Sequence, residues 1–134
     1  MKLSSKSITA IKMFIDLGEH YESGFTSLVD ISKRKDVSKK FLEQIVPLFK
    51  KANLLECNRG NQGGYKLKLA PNKISLKDII YLTESFFEKT ITDNEPIDIM
   101  IKQVDTLLDN YFKSVTLDKL IEQQQNSYSS NYII

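Results

Sequence analysis

SLVDISKRKDVSKKFLEQIVPLFKKANLLECNRGNQGGYKLKL, residues 27–69, is the stretch on which the fold turns. It opens as a short helix over 27–35, with Leu28 and Ile31 facing inward. Ser27 is its N-cap and Asp30 stands three residues on, a capping-box spacing with Asp in place of the usual Glu. Asp36-Val37 makes a tight turn. Ser38 then caps a second helix, in which Phe41, Leu42, Ile45, Val46 and Phe49 recur at helical spacing. Two short helices joined by a turn, the second opening on a polar cap, form a helix-turn-helix. Pro47 lies inside the second helix, where proline removes a hydrogen bond at a cost of about 3 kcal/mol. A kink or a change of helix type is expected there. Leu54 to Asn58 and Tyr65 to Leu69 alternate apolar and polar, as half-exposed strands do. Between them runs Arg59-Gly60-Asn61-Gln62-Gly63-Gly64, which holds three of the chain's five glycines. A hairpin that follows a helix-turn-helix is a wing.

Upstream, residues 4–19 predict a helix with Ile8, Ile11 and Ile15 as its apolar line, widened by Ala10, Phe14 and Leu17. Downstream, Pro71-Asn72-Lys73 is a connector and Ser75 opens a helix to about Glu84. Residues 86–96 read as irregular. A long helix then spans about 97–114. Ile97, Ile101, Val104, Leu108, Tyr111 and Val115 recur along it in alternating steps of four and three, a coiled-coil-like seam suited to self-association. A short helix over 117–124 follows. The fold class is therefore mainly α with a small β-hairpin: a winged helix-turn-helix over 1–74, a dimerisation or effector region over 75–126, and a flexible tail over 127–134.

Composition narrows the function. The chain has 134 residues, 41% of them hydrophobic, which suits one packed domain with an added element. No apolar stretch is long enough for a membrane span, and the start lacks a signal core, so a cytoplasmic location is expected. The one cysteine, Cys57, cannot form an internal disulfide or a thiolate cage alone. Residues 1–77 carry 15 Lys and Arg against 7 acids, a net of +8, whereas residues 78–134 carry 4 Lys against 10 acids, a net of −6. A basic front half can meet a polyanion; the plain alternative is two solvated surfaces of opposite sign. No nucleophile–base set, phosphate loop or metal spacing points to an enzyme.

A recognition helix presents polar side chains from its first turns. Here these are Ser38, Lys39, Lys40, Glu43 and Gln44. Ser38 and the helix N-terminus suit a phosphate, and the two lysines add counterion release. Gln44 matches adenine, and Glu43 can accept from cytosine. Arg59 stands at the tip of a thin hairpin, placed to enter a narrow minor groove, with Lys66 on the same hairpin. The bland readings are a solvated helix face and an exposed turn arginine. Cys57 reads as an inert strand thiol rather than a redox switch, His20 as a surface residue at a helix end, and Phe86 and Phe87 as core rather than pocket lining.

These residues carry a family resemblance. Met1-Lys2-Leu3-Ser4, Leu42-Glu43-Gln44 and Arg59-Gly60-Asn61-Gln62-Gly63-Gly64-Tyr65 resemble the start, recognition helix and wing signature of Rrf2 transcription regulators. Ser75-Leu76-Lys77-Asp78-Ile79-Ile80 resembles the segment after that wing. The similarity spans nearly the whole chain, and the RGxxGGY wing is its most specific part. The resemblance implies a homodimer joined through the long helix, binding double-stranded DNA at a roughly palindromic operator, usually to repress. It maps the minor-groove arginine onto Arg59 and the recognition residues onto Ser38 to Gln44. Many members hold an iron–sulfur cluster on three cysteines between the post-wing helix and the long helix. Here Phe87 to Ile97 contains neither cysteine nor histidine, and cluster iron needs thiolates. No cofactor is therefore expected. The cluster-free branch includes repressors of cysteine metabolism, in which the signal can arrive through cysteine synthase by capture of a C-terminal peptide ending in isoleucine. This chain ends Tyr132-Ile133-Ile134, a docking handle if its carboxylate is held by backbone N–H groups. The rival to the regulator is a winged-helix protein-interaction module whose DNA binding is weak or needs a partner; steep salt dependence separates the two.

Overall fold

The structure is a computed structural model and describes residues 1–60, 63–85 and 94–132. Its elements in chain order are α1 (Ser5–Glu19), α2 (Leu28–Lys35), α3 (Lys39–Lys51), β1 (Leu55–Asn58), β2 (Gly64–Leu67), a 3-10 turn (Pro71–Lys73), α4 (Leu76–Thr83), α5 (Pro96–Ser114) and α6 (Leu117–Tyr132). Each of the first four helices starts on a serine whose hydroxyl accepts the N–H three residues on: Ser4 from Ser7, Ser27 from Asp30, Ser38 from Phe41 and Ser75 from Asp78. Such a bond satisfies one of the orphan donors at a helix start. At Ser75 the box closes, because Asp78 accepts the Ser75 N–H at 2.9 Å. Asp36 makes the turn between α2 and α3 with φ 53°.

The core lies where α1 meets the helix-turn-helix. Phe14 and Phe49 meet edge-on with ring centroids 4.8 Å apart, over Met13, Leu42, Ile45 and Leu67, all buried. The buried face of α1 is Ala10, Met13, Phe14 and Leu17, joined by Ser7 and Thr9. The isoleucine line expected there is displaced: Ile8 is exposed, and Ile11 and Ile15 are half-buried. The cause is tertiary. α1 is packed by α2, α3, α4 and α6, and their arrangement selects the face. α2 is clamped to α1 by the Arg34 guanidinium, which donates two bonds of 2.8 and 2.9 Å to the buried Asp16 carboxylate. That bidentate pair holds the Arg34 pKa above its ordinary value.

Hydrogen bonds join the segments on either side of position 75 to the start of α6. Ser75 bridges Thr116, the Leu76 N–H donates to the Val115 carbonyl, and the Leu117 N–H donates to the Ile74 carbonyl. Leu117 enters the same core as Phe14, which brings α6 back onto α1. α6 is also longer than expected. Where a helix over 117–124 was expected, it continues to Tyr132. Leu120 and Ile121 anchor its start on the core, and once a helix is nucleated each added residue fixes few torsions per bond gained. Each strand is one residue shorter than the alternation implied: Leu54 lies outside β1, and β2 starts a residue early at Gly64 and ends at Leu67. α3 stays α-helical through Pro47 to Lys51, so of the two expected outcomes, a kink or a change of helix type, the second does not occur. Among the described residues no helix is long and apolar enough to cross a membrane.

Candidate nucleic-acid interface

α3 enters the site with Ser38, Lys39, Lys40, Glu43 and Gln44 all exposed. The same Ser38 hydroxyl that caps the helix is engaged by the Phe41 N–H. Lys39 and Glu43 approach to 3.6 Å, both more than half exposed. A solvent pair of this kind contributes little and is easily opened, so both side chains remain available.

The wing is an antiparallel pair in the register Leu55↔Leu67, Glu56↔Lys66, Cys57↔Tyr65 and Asn58↔Gly64. Arg59 follows the last rung and is exposed; Asn61 and Gln62, at the tip, lie outside the described residues. The period-two alternation puts Cys57 and Tyr65 on the face of Leu55 and Leu67, and Glu56 and Lys66 on the other. Lys66 is half-buried, its ammonium 5.5 Å from the centroid of the Phe25 ring. Of the expected DNA-facing residues it is the only one held against its own chain in this way. Cys57 is a free, exposed thiol.

One contact was not foreseen from the sequence. Thr26 and Tyr65 exchange two backbone hydrogen bonds of 2.8 Å, a rung that ties the wing to the start of α2. Gly64 is its trace, and Gly63 serves the hairpin turn itself. A Cβ on Gly64 would lie 2.4 Å from the Thr26 carbonyl oxygen, and one on Gly63 would lie 2.6 Å from that of Asn58. Between wing and α3 lies a cleft of about 330 Å³, lined by Glu43, Val46, Pro47, Lys50 and Tyr65. It sets the two expected contact elements side by side. Burial there pushes the Tyr65 phenol up, with Cys57 and Glu43 adding to the shift.

On α5 only Phe112 is buried. Of the expected seam, Ile97, Ile101, Val104 and Tyr111 are exposed, whereas Leu108 and Val115 are half-buried. Met100 and Leu107, the latter 69% exposed, widen the outer face. α5 is held to α4 through Asp109, which accepts from the Lys77 ammonium at 2.8 Å and from the Tyr81 hydroxyl. Burial pushes the Tyr81 phenol up to about 12, and the bond to Asp109 adds to the effect. The end of α4 is tied to the start of α1: Glu84 accepts from the Ser4 N–H and the Ser7 hydroxyl, each at 2.6 Å. Burial pushes the Glu84 carboxyl up, but the Ser7 and Ser4 bonds outweigh it, and the net direction is down.

His20 closes α1 as its C-cap, with Nδ1 2.8 Å from the Asp16 carbonyl oxygen. No group of three His, Cys, Asp or Glu among the described residues is placed to hold a metal ion. Phe86, Phe87 and the cysteine-free stretch through Asp93 lie outside the described residues, as do Ile133 and Ile134. Tyr132 is the last residue of α6.

The Rrf2 family, described as an iron-dependent transcriptional regulator, matches residues 3–123. The chain is 36% identical over 90 residues to the HTH-type transcriptional regulator IscR of Aliivibrio salmonicida, an alignment covering 67% of this chain and only 54% of that protein. It is 34% identical over 98 residues to the HTH-type transcriptional regulator CymR of Bacillus subtilis, covering 72% of this chain and 71% of that one. The solved structure of CymR, the global cysteine regulator of B. subtilis, superposes with a TM-score of 0.80 at 28% identity, covering 92% of this chain and 98% of that one. IscR of T. potens superposes with a TM-score of 0.82 at 28% identity, covering 95% and 90%.

Proposed function

The chain belongs to the Rrf2 family of DNA-binding transcription regulators, and from that premise we propose that it acts as a homodimer on a roughly palindromic operator, represses transcription there, and senses its signal without a cluster. The observation that carries the reading is the adjacency of α3 and the wing across their shared cleft. Across it Glu43 of α3 and Tyr65 of the wing line one cleft, and Ser38, Lys39, Lys40, Gln44 and Arg59 are exposed in the basic half of the chain. In this reading α3 lies in the major groove, Gln44 and Glu43 meet base edges, the lysines meet phosphates, and Arg59 enters the adjacent minor groove. Lys66, drawn over Phe25, supports the base of the wing and adds positive charge.

The family description names iron, and the donor chemistry of this chain does not fit a thiolate-held cluster. There is one cysteine in the sequence, and it stands exposed on the wing strand. A signal delivered by a protein partner accords better with these residues. The Tyr132-Ile133-Ile134 end is the proposed handle, with cysteine synthase as the partner; the likeness to a regulator named for cysteine supports this choice. Deleting Ile134 is expected to abolish that complex and spare the dimer, and an intact complex after deletion would dispose of the handle.

The main test is capture of fragmented genomic DNA by the purified chain at two salt concentrations, followed by sequencing, with Arg59→Ala as control. The expected result is a small set of palindromic fragments, depleted at high salt and in the variant. Enrichment that ignores both salt and Arg59 would sink the assignment and favour a protein-interaction module.

A further inference from the structure

A helix in the major groove and a wing in the neighbouring minor groove must straddle one strand, because a sugar–phosphate backbone is what separates the two grooves. The cleft between α3 and β2 lies where that strand has to pass. Glu43 and Lys50, both in its walls, are seven residues apart, so they share a side of α3 about 10 Å apart along the axis. Glu43 repels phosphate and already has Lys39 beside it at 3.6 Å. Lys50 is exposed and has no ion pair among the described residues. Between these ends the wall is the exposed ring of Pro47 and the half-buried ring of Tyr65. Such a surface offers apolar contact and one hydroxyl, but no backbone N–H from Pro47.

We propose that this cleft seats the backbone of one DNA strand, with a phosphate at Lys50 and the Tyr65 hydroxyl and the adjoining deoxyribose against Pro47 and the Tyr65 ring. The polarity along α3 is then base-facing at Glu43 and phosphate-facing at Lys50. Half to two-thirds of protein–DNA hydrogen bonds go to phosphate and sugar, and this seat fixes the register in which Gln44 and Arg59 meet their grooves. The proposal rests on the DNA-binding reading above.

The test compares the full chain with Lys50→Gln, Lys51→Gln and Tyr65→Phe, measuring affinity for a captured operator and for random DNA across a salt series. Lys50→Gln is expected to flatten the slope of log K against log salt by about one unit and to weaken both DNAs roughly fivefold near physiological salt. Lys51→Gln removes the same charge one residue along, outside the cleft lining, and keeps the parent slope. Tyr65→Phe weakens binding at unchanged slope. A thermal midpoint equal to the parent's verifies the fold of each. A parental slope in Lys50→Gln, or equal losses in Lys50→Gln and Lys51→Gln, overturns the seat while DNA binding stands. A parent chain with no salt-dependent binding overturns both.

Discussion

Gly64 stands where one backbone crosses another. A methyl group there would sit 2.4 Å from the Thr26 carbonyl oxygen and 2.9 Å from the Ser27 nitrogen, and neither atom can move without breaking the rung between Thr26 and Tyr65. Gly64→Ala is expected to destabilise the fold by about 1–3 kcal/mol, the usual penalty of overpacking. The check is a lower urea midpoint at unchanged m; an unchanged midpoint would mean the rung is dispensable. A second residue-scale expectation concerns alkali. The folded chain holds Tyr81 at about 12, above the ordinary value of roughly 10. The fold therefore favours the neutral phenol, so its contribution is complete below about pH 10 and is lost progressively as pH rises toward 12. Tyr81→Phe should flatten the fall in stability across that window relative to the parent, and a parallel fall in both would show that the fold does not hold the phenol neutral. Residues of these two kinds differ in legibility. Arg59 and the glycines around it announce a tight, exposed hairpin in six consecutive positions. Lys50 announces nothing, because its place depends on Tyr65, fifteen residues on and in another element.

At the scale of elements, local chemistry determined where helices begin and tertiary packing determined the rest. The caps at Ser27 and Ser38 could be read directly, since the capping bond spans three residues. The buried face of α1 could not, because helices from distant parts of the chain choose it. The length of α6 escaped for a related reason: its polar end has no apolar period, and the helix is propagated from Leu120 and Ile121. Pro47 shows a third kind of limit. Proline deprives the Glu43 carbonyl of its helical donor, and that penalty is large when the group is buried. Here Glu43 and Pro47 are both exposed, so water can replace the missing N–H, and the helix goes on. Pro47→Ala is accordingly expected to restore a bond and stabilise the chain by about 2 kcal/mol, after allowing for the greater freedom of the unfolded chain. If the ring also serves as a wall of the cleft, the same variant binds operator less tightly while melting higher. A variant that melts lower would show that α3 needs the proline for its shape.

The whole molecule pairs a basic front, proposed to face DNA, with an acidic back whose longest helix exposes apolar side chains. Ile97, Met100, Ile101, Val104, Leu107 and Tyr111 are each at least 36% exposed, and they fall within about half a turn of one another on the helical wheel. A contiguous apolar stripe of this length on a lone chain is the mark of an interface. The heptad-like steps of α5 suit a second copy, and twofold pairing is what a palindromic site requires. Val104 lies near the middle of that stripe. In a dimer paired through this stripe, Val104→Asp would place carboxylates in an apolar contact, so separation of the subunits is the cheaper state. In the separated chain the same carboxylate is solvated, because Val104 is 46% exposed there. The variant is therefore expected to keep its helix content and thermal cooperativity, to sediment as a monomer where the parent is a dimer, and to lose operator affinity by a factor of about 100 or more, since the second half-site no longer binds intramolecularly. Its affinity for a single half-site should match the parent's, which separates loss of pairing from loss of the DNA-reading surface. A Val104→Asp chain that remains dimeric would move the interface off this face, and a parent that is monomeric at every concentration would remove the twofold reading altogether.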